Sequence, residues 1–311
     1  MKGGSLRAVA IAGAIGLAVI VVAVVVLSRL DSGHGSPVGT SSLTVGVVNP
    51  PRPPKNALVL AGESGERAVA LAVGPGQRPM LTATVMASSG RPLSGLRLSF
   101  LFGRQVVPAG LCGPGCYRGR PAQASLARRI EARPSGSKAV VFTLPVSPRS
   151  GTAILAQANR VFRRLRTLVY VESLRSEPRG GILTTWKMAA PSTLSYQIRG
   201  GASAVVIGRR RWDQARPGGR WERGAQNPPL RVPLPPWGSP TTNAYVLGSA
   251  RVHGRPAWIV SFANPTIPAW FTAWIDRQTY RTLQLRMTAA AHFMFHRYSA
   301  FNEPLRIRPP S

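Results

Sequence analysis

The sequence predicts a mainly β protein hung from an N-terminal transmembrane helix. The expected order is an immunoglobulin-like β-sandwich, then an α+β domain whose curved antiparallel sheet wraps one covering helix. Three observations predict this. Residues 8–27 carry no charged or strongly polar side chain. Residues 57–147 run as short alternating or β-branched segments broken by Gly- and Pro-rich turns. From Thr152 the apolar period becomes that of a helix, then returns to that of strands.

A span of about 20 apolar residues is what a helix needs to cross the hydrocarbon core. Residues 8–27 meet that length, between a short tail (1–7) bearing Lys2 and Arg7 and the closing pair Ser28–Arg29. The expectation is an uncleaved single-pass anchor with a cytoplasmic tail and the rest of the chain outside the cytoplasm. A cleaved signal peptide is the rival reading, but its apolar core is usually shorter. Residues 28–56 form a Ser-, Gly- and Pro-rich linker ending in a polyproline-like spacer.

The 311 residues include 40 Lys and Arg against 10 Asp and Glu, a net charge of +30. Such charge first suggests nucleic acid. Here it is nearly all Arg, scattered rather than clustered, in a chain expected to be exported. The expected counter-surface is therefore anionic lipid or a wall polymer rather than nucleic acid.

In residues 57–147, strands are expected over Ala68–Val73, Met80–Met86, Leu96–Phe102 and Lys138–Leu144. Between them lies Leu111–Tyr117 (LCGPGCY), with the only two cysteines of the chain, Cys112 and Cys116. Outside the cytoplasm such a close pair is expected to form a disulfide across the Gly-Pro-Gly turn. A redox pair and a thiolate copper site are the alternatives.

In residues 151–311, Ile154, Leu155, Ala158, Val161, Phe162 and Leu165 follow one helix face, with arginines mostly on the other. Strands are expected from Leu168 onward, with hairpin turns at Gly200–Gly201 and His253–Gly254. All seven tryptophans fall in this part, which marks either a large core or an apolar ligand cavity.

The segments Val205–Trp212 (VVIGRRRW), Ser261–Pro265 (SFANP), Ala269–Phe271 (AWF) and Ile275–Met287 (IDRQTYRTLQLRM), after a helix and a Gly-Gly hairpin, resemble LolA-like half-barrel domains. Met287–Met294 (MTAAAHFM) and Tyr298–Asn302 (YSAFN) resemble the exported C-terminal regions of actinobacterial CopD-like copper-resistance proteins. The preceding sandwich resembles the YtkA-like module found with them. This chain has no multi-helix membrane domain of the CopD kind, so a transport role does not carry over. The resemblance implies a concave sheet, covered by the helix, that holds an acyl chain. Alternation then nominates Phe162, Leu165, Trp258, Phe262 and Trp274 as cavity lining.

His292, Met294 and His296 alternate, so on a strand they share one face, and two imidazoles with a thioether suit copper. The bland alternative is an edge strand with mixed side chains. Enzyme signatures are absent: the ten acids are spread thinly, and there is no nucleophile elbow, zinc-protease helix or phosphate loop. His34 sits in the linker. The function expected is a non-enzymatic, membrane-anchored lipid- or apolar-ligand-binding protein. The alternatives are a copper-resistance accessory protein and a partner-docking scaffold.

Overall fold

The computed structural model describes residues 50–311 apart from 66, 123–126, 176–180 and 291. The tail, the anchor and residues 28–49 of the linker lie outside the described residues. Among those described, no helix is long and apolar enough to cross a membrane.

The first region builds one antiparallel sheet of eight strands in the order β1-β2-β3-β6-β5-β4-β7-β8. They are β1 (Leu58–Ser64), β2 (Arg67–Val73), β3 (Leu81–Ala87), β4 (Leu98–Phe102), β5 (Gln105–Gly113), β6 (Cys116–Gly119), β7 (Arg129–Pro134) and β8 (Val140–Thr143). The expected sandwich has two separate layers, but here β5 makes them continuous. Its first half pairs with β4 and its last residues pair with β6. At the other edge β1 comes against β8, where a Cβ on Gly62 would lie 2.6 Å from Val140 Cγ1. The sheet is thus a nearly closed barrel around Leu71, Leu81, Phe100, Tyr117 and Ile130. Tyr117 ties it across: its hydroxyl donates to the Leu93 carbonyl at 2.6 Å and accepts from the Leu96 amide at 3.0 Å.

The second region opens with β9 (Arg149–Ser150) and the helix α1 (Thr152–Arg163). Gly151 caps the helix because a Cβ there would stand 2.7 Å from Val260 Cγ1. No acid occupies the first turn, while Arg160 and Arg163 sit in the last, the favourable end for positive charge. Ten strands lead up to the last one: β10 (Thr167–Arg175), β11 (Ile182–Ala189), β12 (Thr193–Ile198), β13 (Ser203–Ile207), β14 (Arg210–Gln214), β15 (Glu222–Ala225), β16 (Thr242–Val252), β17 (Arg255–Asn264), β18 (Ala269–Asp276) and β19 (Thr282–Ala289). The last is β20 (His292–Ser299). Together with β9 they form a twelve-stranded antiparallel sheet, β15-β14-β13-β12-β11-β10-β20-β19-β18-β17-β16-β9.

One core fills the concave face. Leu155, Ala158 and Phe162 of α1 press onto inward residues of β10–β12 and β16–β20. A Pro-rich strap, residues 226–241, crosses beside the helix and inserts Val232 and Trp237 into the same core. Proline removes backbone donors, and the strap is held by few backbone bonds, such as Val232 N–H to Pro191 O at 3.0 Å.

The two sheets pack on each other through an alanine-rich face. Ala57, Val59, Ala70 and Ala72 of the first region meet Ala263 and Trp270 of the second, while Ala68 and Met86 meet Phe293. Glu63 pairs with Arg175 across the contact, and the Asn243 amide donates to the carbonyls of Pro54 (2.9 Å) and Ala57 (2.8 Å). This contact buries both faces of β1 and β2, which is why their sequences show little alternation.

Candidate functional site

The concave face is paved with rings. Phe162 meets Trp237 (5.5 Å between centroids) and Tyr298 (5.7 Å), both edge-on. Trp237 meets Phe262, which stacks on Phe271 at 5.1 Å. On the other side, Tyr170 stacks on Trp186 at 5.8 Å, and Trp186 tilts against Tyr196 at 4.9 Å. This continuous aromatic surface comes from inward positions of six strands, α1 and the strap.

Inside it lies a hydrogen-bonded chain of three side chains. Nε2 of His296 is 2.7 Å from Glu172 Oε2, and Nδ1 is 2.8 Å from the Tyr298 hydroxyl. Glu172 and His296 are only 4% and 1% exposed. Burial pushes the Tyr170 and Tyr298 hydroxyls well above the ordinary tyrosine pKa, with the Glu172 charge adding to it, so both stay protonated.

Further along the same face lie other buried polar atoms. Trp186 Nε1, Tyr196 Oη and Trp237 Nε1 are buried and unpaired among the described residues. Arg211 of β14 lies beside the Tyr196 hydroxyl and can only donate to its oxygen, so the Tyr196 O–H finds no acceptor among the described residues. Its guanidinium is held by Asp213 at 2.7–2.9 Å. Burial raises the Tyr196 pKa, partly opposed by the Arg211 charge.

Of the residues nominated from sequence, Phe162, Leu165, Phe262 and Trp258 belong to or pack on the concave core. Trp274 does not. The alternation of β18 turns Phe271, Ala273 and Ile275 inward, so Trp274 stands on the convex side, edge-on to Phe295 at 5.9 Å. Residues 292–299 are a strand, which places His292, Met294 and His296 on one face. Met294 is part of the apolar core, and both ring nitrogens of His296 are engaged by Glu172 and Tyr298. Among the described residues, no three His, Cys, Asp or Glu side chains converge as a metal site. Cys112 and Cys116 form a disulfide across the β5–β6 turn, with Cα atoms 5.0 Å apart.

Two open cavities lie at the joint of the two regions. One of about 440 Å³ is lined by Leu58, Phe102, Leu144, Val146 and Tyr245 among others. A second of about 650 Å³ is lined by Arg52, Lys55, Thr152 and Asn243 among others.

By structure the chain is similar to lipoprotein LppX of Mycobacterium tuberculosis, at 14% identity and TM-score 0.41, over 50% of this chain and 97% of that one. It is similar to LprF of Mycobacterium bovis at 12% identity and TM-score 0.39, over 52% and 97%. A LolA superfamily protein of Nitrosomonas europaea aligns at 10% identity and TM-score 0.25, over 52% and 96%. No family model matches the chain, and no curated protein matches it by sequence.

Sequence reasoning missed Glu172, Tyr298, Tyr196, Arg211 and Trp237. Glu172 breaks the apolar alternation of β10 at an inward position, and that was its one visible signal. Trp237 lies in a stretch whose prolines read only as loop.

Proposed function

We propose that this protein is a non-enzymatic, extracytoplasmic binding protein, tethered by residues 8–27, that holds a lipid or other apolar ligand on the concave face of the twelve-stranded sheet. One observation carries the reading. The concave face joins an unbroken aromatic surface to buried donors, the Trp186 N–H, Tyr196 O–H and Trp237 N–H, that find no acceptor among the described residues. Native interiors satisfy nearly all such groups, and ligand sites combine apolar walls with a few placed polar atoms. The strap bearing Trp237 is held by few backbone hydrogen bonds and is the natural element to yield to an acyl chain. The high Arg content suits residence beside anionic headgroups.

The test is native mass spectrometry of the full chain purified in mild detergent. Additional mass matching a lipid, recovered by solvent extraction, is expected. Protein that carries no lipid and takes up no acyl-chain probe overturns the reading.

A further inference from the structure

Resting on the reading above, we infer that Trp186, Tyr196 and Arg211 form a polar seat for an uncharged carbonyl oxygen, so that the ligand is a neutral acyl ester rather than a free fatty acid. Trp186 and Tyr196 are Cα partners on β11 and β12, so their side chains leave the sheet side by side on the concave face. Both are more than nine-tenths buried, and neither the Trp186 N–H nor the Tyr196 O–H has an acceptor among the described residues, since Arg211 beside Tyr196 can only donate. An indole N–H can only donate, and the Tyr196 hydroxyl is neutral and keeps its proton. Two adjacent buried donors are open to an acceptor that a ligand can supply.

The charge balance decides which acceptor fits. Arg211 is the cation that acts on Tyr196, and its charge is already met by Asp213 through both carboxylate oxygens. A carboxylate at this seat would meet two neutral donors and a guanidinium that is already neutralised. It would also lie on the same concave face as the buried Glu172, whose strand β10 pairs with β11. A desolvated anion without its own counter-charge is costly, whereas a carbonyl accepting two hydrogen bonds is not. Acyl chains extending from this seat run onto the Tyr170 and Trp186 rings, which stack at 5.8 Å.

The experiment measures binding of three probes to the full-length protein in detergent: dioleoylglycerol, oleate and hexadecane. Wild type is compared with Tyr196→Phe and Trp186→Phe, with thermal unfolding confirming that each variant is folded. Losing one neutral hydrogen bond corresponds to about a 5- to 10-fold weakening. The expected result is that loss for dioleoylglycerol with either variant, no change for hexadecane, and weaker oleate binding by wild type. Dioleoylglycerol affinity unchanged in the folded Tyr196→Phe protein, an equal loss for hexadecane, or a wild-type preference for oleate overturns the inference and leaves the apolar-ligand reading standing. Wild type that binds none of the three overturns both.

Discussion

His296 Nε2 lies 2.7 Å from Glu172 Oε2, joining two residues that are direct partners on β20 and β10 yet 124 positions apart in sequence. With Tyr298 on the other ring nitrogen, the three side chains form a polar chain enclosed by apolar residues. Breaking one member of such a buried pair leaves the other unsatisfied, at a cost of about 3–5 kcal/mol, while replacing both is far milder. Glu172→Leu and His296→Leu should each lower the denaturant midpoint strongly, and the double substitution should recover a large part of the loss. Additive losses in the double variant would show that the pair is not coupled.

Asp276 closes the β18–β19 turn. Its Oδ1 accepts from the amides of Gln278 (3.0 Å) and Thr279 (2.7 Å) and from the Thr279 hydroxyl (2.9 Å), and its Oδ2 accepts from Arg255 Nε at 2.7 Å. Burial alone would raise this carboxyl, but the Thr279, Gln278 and Arg255 hydrogen bonds outweigh it and hold its pKa below the ordinary value. A lowered folded-state pKa gives stability that is complete above the unfolded value and lost as pH falls through the folded one. Thermal midpoints measured across the acid range should therefore fall less steeply for Asp276→Asn than for wild type. Parallel profiles would remove Asp276 from the acid response.

Gly115 in the disulfide-clipped turn has φ +65°, and a Cβ there would sit 2.6 Å from the Val85 carbonyl oxygen. Gly65 has a similar φ of +59° but open space around it. Gly65→Ala should cost only the left-handed backbone term, about 1 kcal/mol. Gly115→Ala adds a backbone clash and should cost clearly more, read as a larger drop in thermal midpoint. Equal drops would mean that the β5–β6 turn relaxes freely.

What the sequence revealed follows from how each element is buried. Strands with one buried face, such as β10 and β12, alternate and are legible from Leu168 and Leu194 onward. β5 is exposed on much of both faces and carries no such pattern, so the path joining the two halves of the first sheet was invisible. The concave face was legible where side chains are apolar, as at Phe162 and Phe262. It was not legible at Trp274, beside a register shift between β18 and β19, nor at Glu172, whose partner is fixed only by strand pairing. The disulfide was legible because Gly-Pro-Gly between cysteines four residues apart permits the turn that brings Cys112 and Cys116 together.

The contact between the two sheets depends on small side chains. Ala57, Ala70 and Ala72 let β1 and β2 lie close against β17 and β18, and Trp270 fills the space this leaves. Ala70 is fully buried there, so Ala70→Leu inserts three carbons where no gap exists. Overpacking of this kind costs about 1–3 kcal/mol, and the strain can be relieved only by parting the sheets. Trp270→Ala instead leaves a cavity and should cost about 3–5 kcal/mol. The two variants should differ in kind. Ala70→Leu should increase protease cleavage in residues 145–151 and raise the radius of gyration by small-angle scattering, whereas Trp270→Ala should lower stability with little change in dimensions. If Ala70→Leu leaves both cleavage and dimensions at wild-type values, the alanine face does not set the spacing of the two sheets.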